Sequence, residues 1–195
     1  MRRLVLASTS PFRKELLQRL GVAFETAAPN VDEAPLLGEA PEALVVRLAE
    51  AKAAAVAARF PDALVIGSDQ VSVREGEILG KPGTRERAVA QLLAAAGKEV
   101  RFLTGLCVLN SATGERQMDV VPYAVRFRRL PRERIERYVD RERPFNCAGS
   151  IRSEGLGIAL FESMRGEDPS ALIGLPLIRL VSMLERAGLD VLGGA

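Results

Sequence analysis

The chain has 195 residues, of which 48% are apolar and 27% charged, enough to bury one core and still solvate its surface. Its 27 lysines and arginines against 25 aspartates and glutamates give a net charge of +2, which excludes the strongly basic surface expected of a duplex nucleic-acid binder. The chain contains no histidine, which excludes Ser-His-Asp and Cys-His hydrolases and any His-ligated metal.

Helices alternate with strands along the first half of the chain, and a hairpin follows. The Ser10-Pro11 pair is typical of a helix start, and Gly21 is typical of its end. In chain order, the predicted strands are 3–7, 24–27, 63–67, 76–79, 98–110 and 117–129, and the predicted helices are 12–20, 41–59, 84–96, 131–143 and 176–187. This order predicts an α/β fold with a mixed, twisted sheet flanked by helices, in one domain covering residues 1–195.

The cysteine pattern and the hydropathy indicate the compartment. Cys107 and Cys147 form no C-x-x-C pair, which favours a reducing environment. The first apolar run is too short for an export signal, and no window reaches the roughly 20 apolar residues of a membrane span. A cytoplasmic protein without membrane contact is therefore expected.

The segment from Ser8 to Arg13 joins a predicted strand to the start of a helix. Unpaired N–H groups and the helix dipole make such a start suitable for anions, and Ser8 and Arg13 would add a hydroxyl and a positive charge. The same residues would also fit an ordinary helix cap with a solvated basic first turn. A phosphate site and a plain cap are both open at this point.

Three carboxylates follow predicted strands. Asp69 comes at the C-terminal end of the strand 63–67, where ligands bind in open α/β sheets, and Asp32 and Glu33 lie in a loop. Two or three carboxylates meeting there would suit a hard cation such as Mg²⁺ or Mn²⁺ and the activation of a water molecule. The alternatives are loop solvation for Asp32 and Glu33, and a turn or cap for Asp69.

Two of the four lysines are candidates for phosphate binding. Lys52 lies in an alanine-rich helix, where a solvated surface lysine is the simple alternative. Lys81 lies in the predicted turn Gly80-Lys81-Pro82-Gly83. A charged side chain in such a rigid turn suggests a binding role.

Seven motifs in order resemble the Maf family of nucleoside triphosphate pyrophosphatases. They are L-A-S-T-S-P-F-R-K-E-L-L from Leu6, V-D-E from Val31, A-E-A-K from Ala49, I-G-S-D-Q from Ile66, I-L-G-K-P from Ile78, C-A-G-S-I-R-S-E-G-L-G from Cys147 and I-G-L-P-L from Ile173. The resemblance spans nearly the whole chain. It implies an inosine-triphosphatase-like architecture with a cleft between two lobes, a homodimer, and hydrolysis of a nucleotide to its monophosphate and pyrophosphate with a divalent metal.

The resemblance also assigns roles to individual residues. Asp69 matches the catalytic proton acceptor, and with Glu33 it matches the metal region. The other residues that match the phosphate- and metal-handling set are Ser8, Arg13, Lys52 and Lys81.

Three positions depart from the commonest pattern of the family and resemble its branch that acts on 7-methyl-GTP: Phe12, Gln70 and Glu154. A methylated, positively charged guanine favours an aromatic face such as Phe12, and its N1–H and N2–H₂ donors suit the carboxylate of Glu154. If Phe12 is core filler and Glu154 a surface carboxylate, a pyrophosphatase for dTTP, UTP or other modified nucleotides remains the alternative. A nucleotide-binding regulator of cell division is a second alternative.

Overall fold

The computed structural model describes residues 3–193, and within them seven strands form one mixed sheet in the order β2-β1-β3-β5-β6-β7, with β4 paired to β3. The strands are β1 (Arg3–Leu6), β2 (Glu25–Thr26), β3 (Ala63–Arg74), β4 (Glu77–Leu79), β5 (Glu99–Asn110), β6 (Arg116–Phe127) and β7 (Phe161–Arg165). β1 runs parallel to β2 and β3, and the remaining pairs are antiparallel. The predicted α/β class and mixed sheet are confirmed.

Five α-helices flank this sheet within the described residues, and short 3-10 helices complete the chain. The α-helices are α1 (Pro11–Gln18), α2 (Pro41–Ala57), α3 (Arg85–Ala95), α4 (Arg132–Glu142) and α5 (Leu177–Arg186). The 3-10 helices are Ala148–Ser150, Leu156–Leu160 and Pro169–Ile173. Across residues 3–193, none of the helices combines the length and the apolar character needed to span a bilayer.

Strand β3 is longer than predicted. It has 12 residues instead of the five of the apolar run, so Asp69 lies inside the strand and not at its end. Strand β3 is extended because β5 pairs with it along nearly its whole length. β1 ends at Leu6, which pairs with Ile66, but β5 continues to pair with β3 as far as Val73. Asp69 therefore lies just beyond the carboxyl end of the parallel β1–β3 pair.

Helix α2 packs unusually close to β3 and β5 because both strands present a glycine beneath it. A Cβ atom on Gly67 would lie 2.0 Å from the carbonyl oxygen of Ala49, and one on Gly105 would lie 2.1 Å from that of Val45. Small residues on the helix complete the packing, since Ala49 and Ala53 are fully buried. This close approach brings the buried face of α2 directly over the part of β3 that carries Asp69.

The apolar core is divided into separate clusters, two of which border the same space. One contains Leu6, Leu17 and Leu180 and is built by β1, α1, α5 and parts of β3 and β5. The other contains Leu92 and Phe102 and is built by α3, α4 and the far halves of β5 and β6. A cleft opens between them, lined by residues that pack against each cluster.

Candidate active site

The cleft has a volume of about 550 Å³ and gathers all the candidate site residues except Asp32. These residues come from six separate parts of the chain: Ser8, Phe12, Arg13, Glu33, Lys52, Asp69, Gln70, Lys81 and Glu154. A larger cavity of about 740 Å³, between the β5–β6 turn and the segment after α5, contains none of them. The sequence motifs thus converge on one cleft.

Lys52 lies between two carboxylates at the base of the cleft. Its ammonium nitrogen is 2.6 Å from Asp69 Oδ1 and 2.6 Å from Glu33 Oε1. Only 4% of Lys52 is exposed, so the alternative of a solvated surface lysine is wrong. The close packing of α2 explains this burial, because Lys52 shares the buried face of α2 with Ala49. We call Glu33, Lys52 and Asp69 the carboxylate–lysine cluster.

The charges around Glu33 favour its ionised form. Burial alone would raise the pKa of this carboxyl, but the hydrogen bond and charge of Lys52, with the charges of Lys81 and Arg13, outweigh burial and lower it. Lys81 itself lies exposed in the turn after β4 and lines the cleft. Positive charge from three parts of the chain therefore acts on one carboxylate.

Two carboxylates meet here, and the third expected candidate does not join them. Asp32 Oδ1 accepts a hydrogen bond from the Ala34 amide at 2.9 Å and so shapes the loop that carries Glu33. Within residues 3–193, no group of three or more His, Cys, Asp or Glu side chains is arranged to hold a metal ion. Glu33 and Asp69 still fit Mg²⁺ or Mn²⁺, since such ions often take one or two carboxylates and complete their shell with phosphate oxygens and water.

The start of α1 has a helix cap and an arginine, Arg13, whose side chain is fixed by a hydrogen bond to the backbone. Ser10 Oγ accepts from the Arg13 amide at 3.4 Å, and Ser8 Oγ accepts from the Ser10 amide at 3.1 Å. The Arg13 side chain does not project into solvent, because its Nε donates to the Gly174 carbonyl at 2.8 Å. Burial lowers the pKa of Arg13, while the nearby carboxylates of Asp69 and Glu33 oppose this change. An arginine stays protonated in proteins, so its charge remains available to phosphate oxygens.

Gln70 ties the cleft to a neighbouring 3-10 helix. Its amide nitrogen donates to Thr104 Oγ1 at 3.0 Å and to the carbonyls of Ala171 and Leu172 at 2.6 and 3.2 Å. Because its donors are used within the protein, the polar atom that remains for a ligand is the side-chain oxygen.

Phe12 and Glu154 are joined by an arginine that the sequence did not single out. The guanidinium carbon of Arg152 lies 5.3 Å from the centre of the Phe12 ring, and its Nε donates to Glu154 Oε1 at 3.2 Å. Glu154 is neither free nor fully solvated, since its side chain is 20% exposed. We call Phe12, Arg152 and Glu154 the base cluster.

A thiol also lines the cleft next to this cluster. Burial, followed by the charge of Glu154, raises the pKa of Cys147 to about 11. The thiol is therefore neutral at pH 7, and a reactive thiolate is excluded at this position.

The family follows from comparison with known proteins. Residues 3–187 match the family described as Maf-like protein. The chain belongs to this family. This Maf protein is 59% identical over 189 residues to a 7-methyl-GTP pyrophosphatase of Nitrosococcus oceani, covering 97% of this chain and 95% of that protein. It is 56% identical over 188 residues to a 7-methyl-GTP pyrophosphatase of Pseudomonas aeruginosa, covering 96% of this chain and 98% of that one.

Among solved structures, the Staphylococcus aureus Ham1 protein resembles the Maf chain with a TM-score of 0.45 and 15% identity, over 65% of this chain and 72% of that one.

Two charged residues that lie beside the Maf cleft, Arg152 and Glu142, were missed from the sequence. Arg152 stands two positions before Glu154, and it also contacts Glu142, whose Oε1 accepts from Arg152 Nη1 at 3.1 Å. The motif S-I-R-S-E contains the arginine, but nothing local indicates that its partners are an aromatic ring on α1 and a carboxylate on α4. Only the assembled fold brings these three parts together.

Proposed function

We propose that this Maf protein is a cytoplasmic pyrophosphatase that hydrolyses 7-methyl-GTP to 7-methyl-GMP and pyrophosphate, with Mg²⁺ or Mn²⁺. One observation carries the proposal: a single cleft contains an aromatic face and a carboxylate that already hold a planar cation, together with the carboxylate–lysine cluster. Two relatives named 7-methyl-GTP pyrophosphatase are 59% and 56% identical in sequence to this protein, and the alignments cover nearly their whole length.

The base cluster suits a methylated guanine better than a neutral base. Methylation at N7 makes guanine a planar cation, which is attracted to the face of an aromatic ring such as Phe12. Its N1–H and N2–H₂ groups are donors, and both can be accepted by a carboxylate such as Glu154. A pyrimidine would leave that carboxylate without its partners, at a cost of about 1–3 kcal/mol.

The remaining cleft residues suit the triphosphate. Arg13, Lys52 and Lys81 place three positive charges around the carboxylates, where they can offset the charge that grows on phosphate oxygens during transfer. Glu33 and Asp69 would hold the divalent ion, which when bound neutralises phosphate charge. We assign to Asp69 the acceptance of a proton from the attacking water, because its carboxylate lines the cleft beside the positive charges.

The test is pyrophosphate release by the wild-type protein across 7-methyl-GTP, GTP, dTTP, UTP and CTP, each with Mg²⁺ and with Mn²⁺. The expected result is the highest kcat/KM for 7-methyl-GTP with either ion. A preference for dTTP or UTP would still support pyrophosphatase activity but would contradict the proposed role of the base cluster. Binding of nucleotides without turnover would indicate a nucleotide-binding protein and not an enzyme.

A further inference from the structure

The base cluster is already filled in the free protein. The guanidinium of Arg152 lies over the Phe12 ring and donates to Glu154, so both groups proposed to recognise a base have a partner within the chain. A guanidinium is planar, positively charged and rich in N–H donors, and it stacks on aromatic rings. A methylated guanine base has the same four properties. The Arg152 side chain therefore makes the interactions that the proposed substrate base would make.

One face of the ring and one carboxylate oxygen cannot serve both groups at once. Phe12 is half-buried at the start of α1 and lines the cleft together with Glu154, and Arg152 covers one face of its ring. If a base stacks there and bonds to Glu154, the guanidinium has to move.

The structure offers the displaced side chain a second carboxylate. Glu142 Oε1 accepts from Arg152 Nη1, while Glu142 Oε2 independently accepts from the Leu156 amide at 2.8 Å. Glu142 is thus held in place whether or not Arg152 contacts it, and its side chain is only 12% exposed. The Arg152 backbone is anchored as well, since its amide donates to the Tyr138 hydroxyl at 3.0 Å. The side chain can turn away from Phe12 and Glu154 without the loop moving.

We propose that Arg152 is an internal ligand of the base cluster, which the incoming base displaces and which Glu142 retains. This inference rests on the proposed function for the nature of the base, and it assigns to Arg152 a role in setting affinity. Moving the guanidinium costs the same amount whichever base enters. Removing it therefore strengthens the binding of methylated and unmethylated guanine nucleotides by one common factor and leaves their ratio unchanged.

The size of this factor follows from the two interactions that the guanidinium gives up when it moves. An exposed cation–π interaction and an exposed ion pair together correspond to about a three- to tenfold change in affinity. The Arg152 side chain is 42% exposed, which places both of its interactions in this weak class.

The experiment is calorimetric titration of the wild type and Arg152→Ala with 7-methyl-GMP and with GMP, which have no α–β phosphate bond and therefore cannot turn over. The expected result is a Kd that falls by about three- to tenfold for both ligands in the variant. Arg179→Ala removes a comparably exposed ion pair, to Asp119 on β6, and should change neither Kd.

Three results would overturn the proposal. Weaker binding of both ligands would make Arg152 a direct nucleotide contact. Tighter binding confined to 7-methyl-GMP would mean that Arg152 stays beside the base and repels its charge. An unchanged Kd, with thermal unfolding like the wild type, would place the guanidinium away from the base.

Arg152→Lys keeps the charge without the planar group. Its Kd for both ligands should lie between that of the wild type and that of Arg152→Ala.

Failure of the proposed function gives a different pattern. If the wild type prefers another nucleotide, the titration is repeated with the monophosphate of that nucleotide. Tighter binding in Arg152→Ala would then support displacement of Arg152 for a different base, whereas its absence would overturn it.

Discussion

Two cations contact residues that line one cleft, each cation lies between two carboxylates, and the two differ in burial. Lys52 is 2.6 Å from both Asp69 and Glu33, and its side chain is 5% exposed. Arg152 is 3.2 Å from Glu154 and 3.1 Å from Glu142, and its side chain is 42% exposed. Lys52 and Asp69 are carried by α2 and the sheet, whereas Arg152 and Glu154 lie in the segment between α4 and β7.

This difference predicts which part of the site can change without loss of the fold. Removing one member of a buried ion pair leaves a charge without its partner and costs several kcal/mol. An exposed pair contributes about 0–1 kcal/mol and can be altered freely. Chemistry and stability are therefore coupled at Lys52, while base binding at Arg152, Phe12 and Glu154 is nearly independent of stability.

The largest effect is expected for Asp69→Asn. The amide keeps an oxygen that can accept from Lys52 but cannot take a proton from water, so turnover of 7-methyl-GTP should fall by about 10²–10⁴-fold. The measurement is pyrophosphate release, with titration of 7-methyl-GMP to show that binding persists. Asp62→Asn, an exposed carboxylate before the same strand, is the matched control and should keep the wild-type rate. Turnover retained in Asp69→Asn would assign the proton to another group.

The next effect concerns stability. Lys52→Met leaves Asp69 and Glu33 side by side without a cation, and the free energy of unfolding should fall by roughly 3 kcal/mol at neutral pH. Urea unfolding measures the loss, and added Mg²⁺ should reduce it if the two carboxylates bind the ion. Lys98→Met is the control, because Lys98 and its partner Glu75 are 46% and 65% exposed and should contribute about 1 kcal/mol or less. Equal losses in the two variants would contradict the difference drawn between buried and exposed pairs.

The order of elements in the fold could be predicted from local patterns, but the length of β3 could not. Its apolar run stops at Gly67, and the polar residues that follow read locally as a strand end. In the structure Ser68 Oγ donates to the Gly105 carbonyl, and Ser72 Oγ donates to the Leu79 carbonyl. Buried polar side chains are thus satisfied by β5 and β4, which the apolar pattern of β3 does not encode.

The sequence motifs predicted which residues belong to the site, but they did not predict how those residues are arranged. The motifs identified Lys52 and Asp69, but the burial of Lys52 depends on the close approach of α2 to Gly67, and its bond to Asp69 spans 17 residues. Arg152 was missed for the same reason, since its ring partner Phe12 is distant in the chain. Pairings between distant residues depend on packing, which local periodicity does not report.

A smaller effect is expected at the base cluster. In Phe12→Leu, the ratio of kcat/KM for 7-methyl-GTP to that for GTP should fall by about three- to tenfold, because the attraction of the cation to the ring is lost. The ratio is the right quantity, since any change in the cost of moving Arg152 is shared by the two nucleotides and cancels. Phe12→Tyr keeps the ring and should keep the ratio. A ratio unchanged in Phe12→Leu would exclude stacking on Phe12 as the source of selectivity.

The smallest effect is expected at the loop that carries Glu33. Hydrogen bonds from Arg47 and then from the Leu36 amide lower the pKa of Glu39 to about 2 from an ordinary value of 4.5. A carboxyl whose pKa is depressed on folding stabilises the protein above its unfolded pKa, and the contribution is lost as the pH falls toward the folded value. Glu39→Gln should thus lower the Tm by about 2 °C or less near neutral pH, a difference that shrinks below about pH 4.5. Thermal unfolding of both proteins across this range measures it. A difference that grows in acid would mean that Glu39 is not held by Arg47. A large difference at pH 7 would group the Arg47–Glu39 pair, whose side chains are 33% and 8% exposed, with the carboxylate–lysine cluster instead of with the weakly stabilising ion pairs.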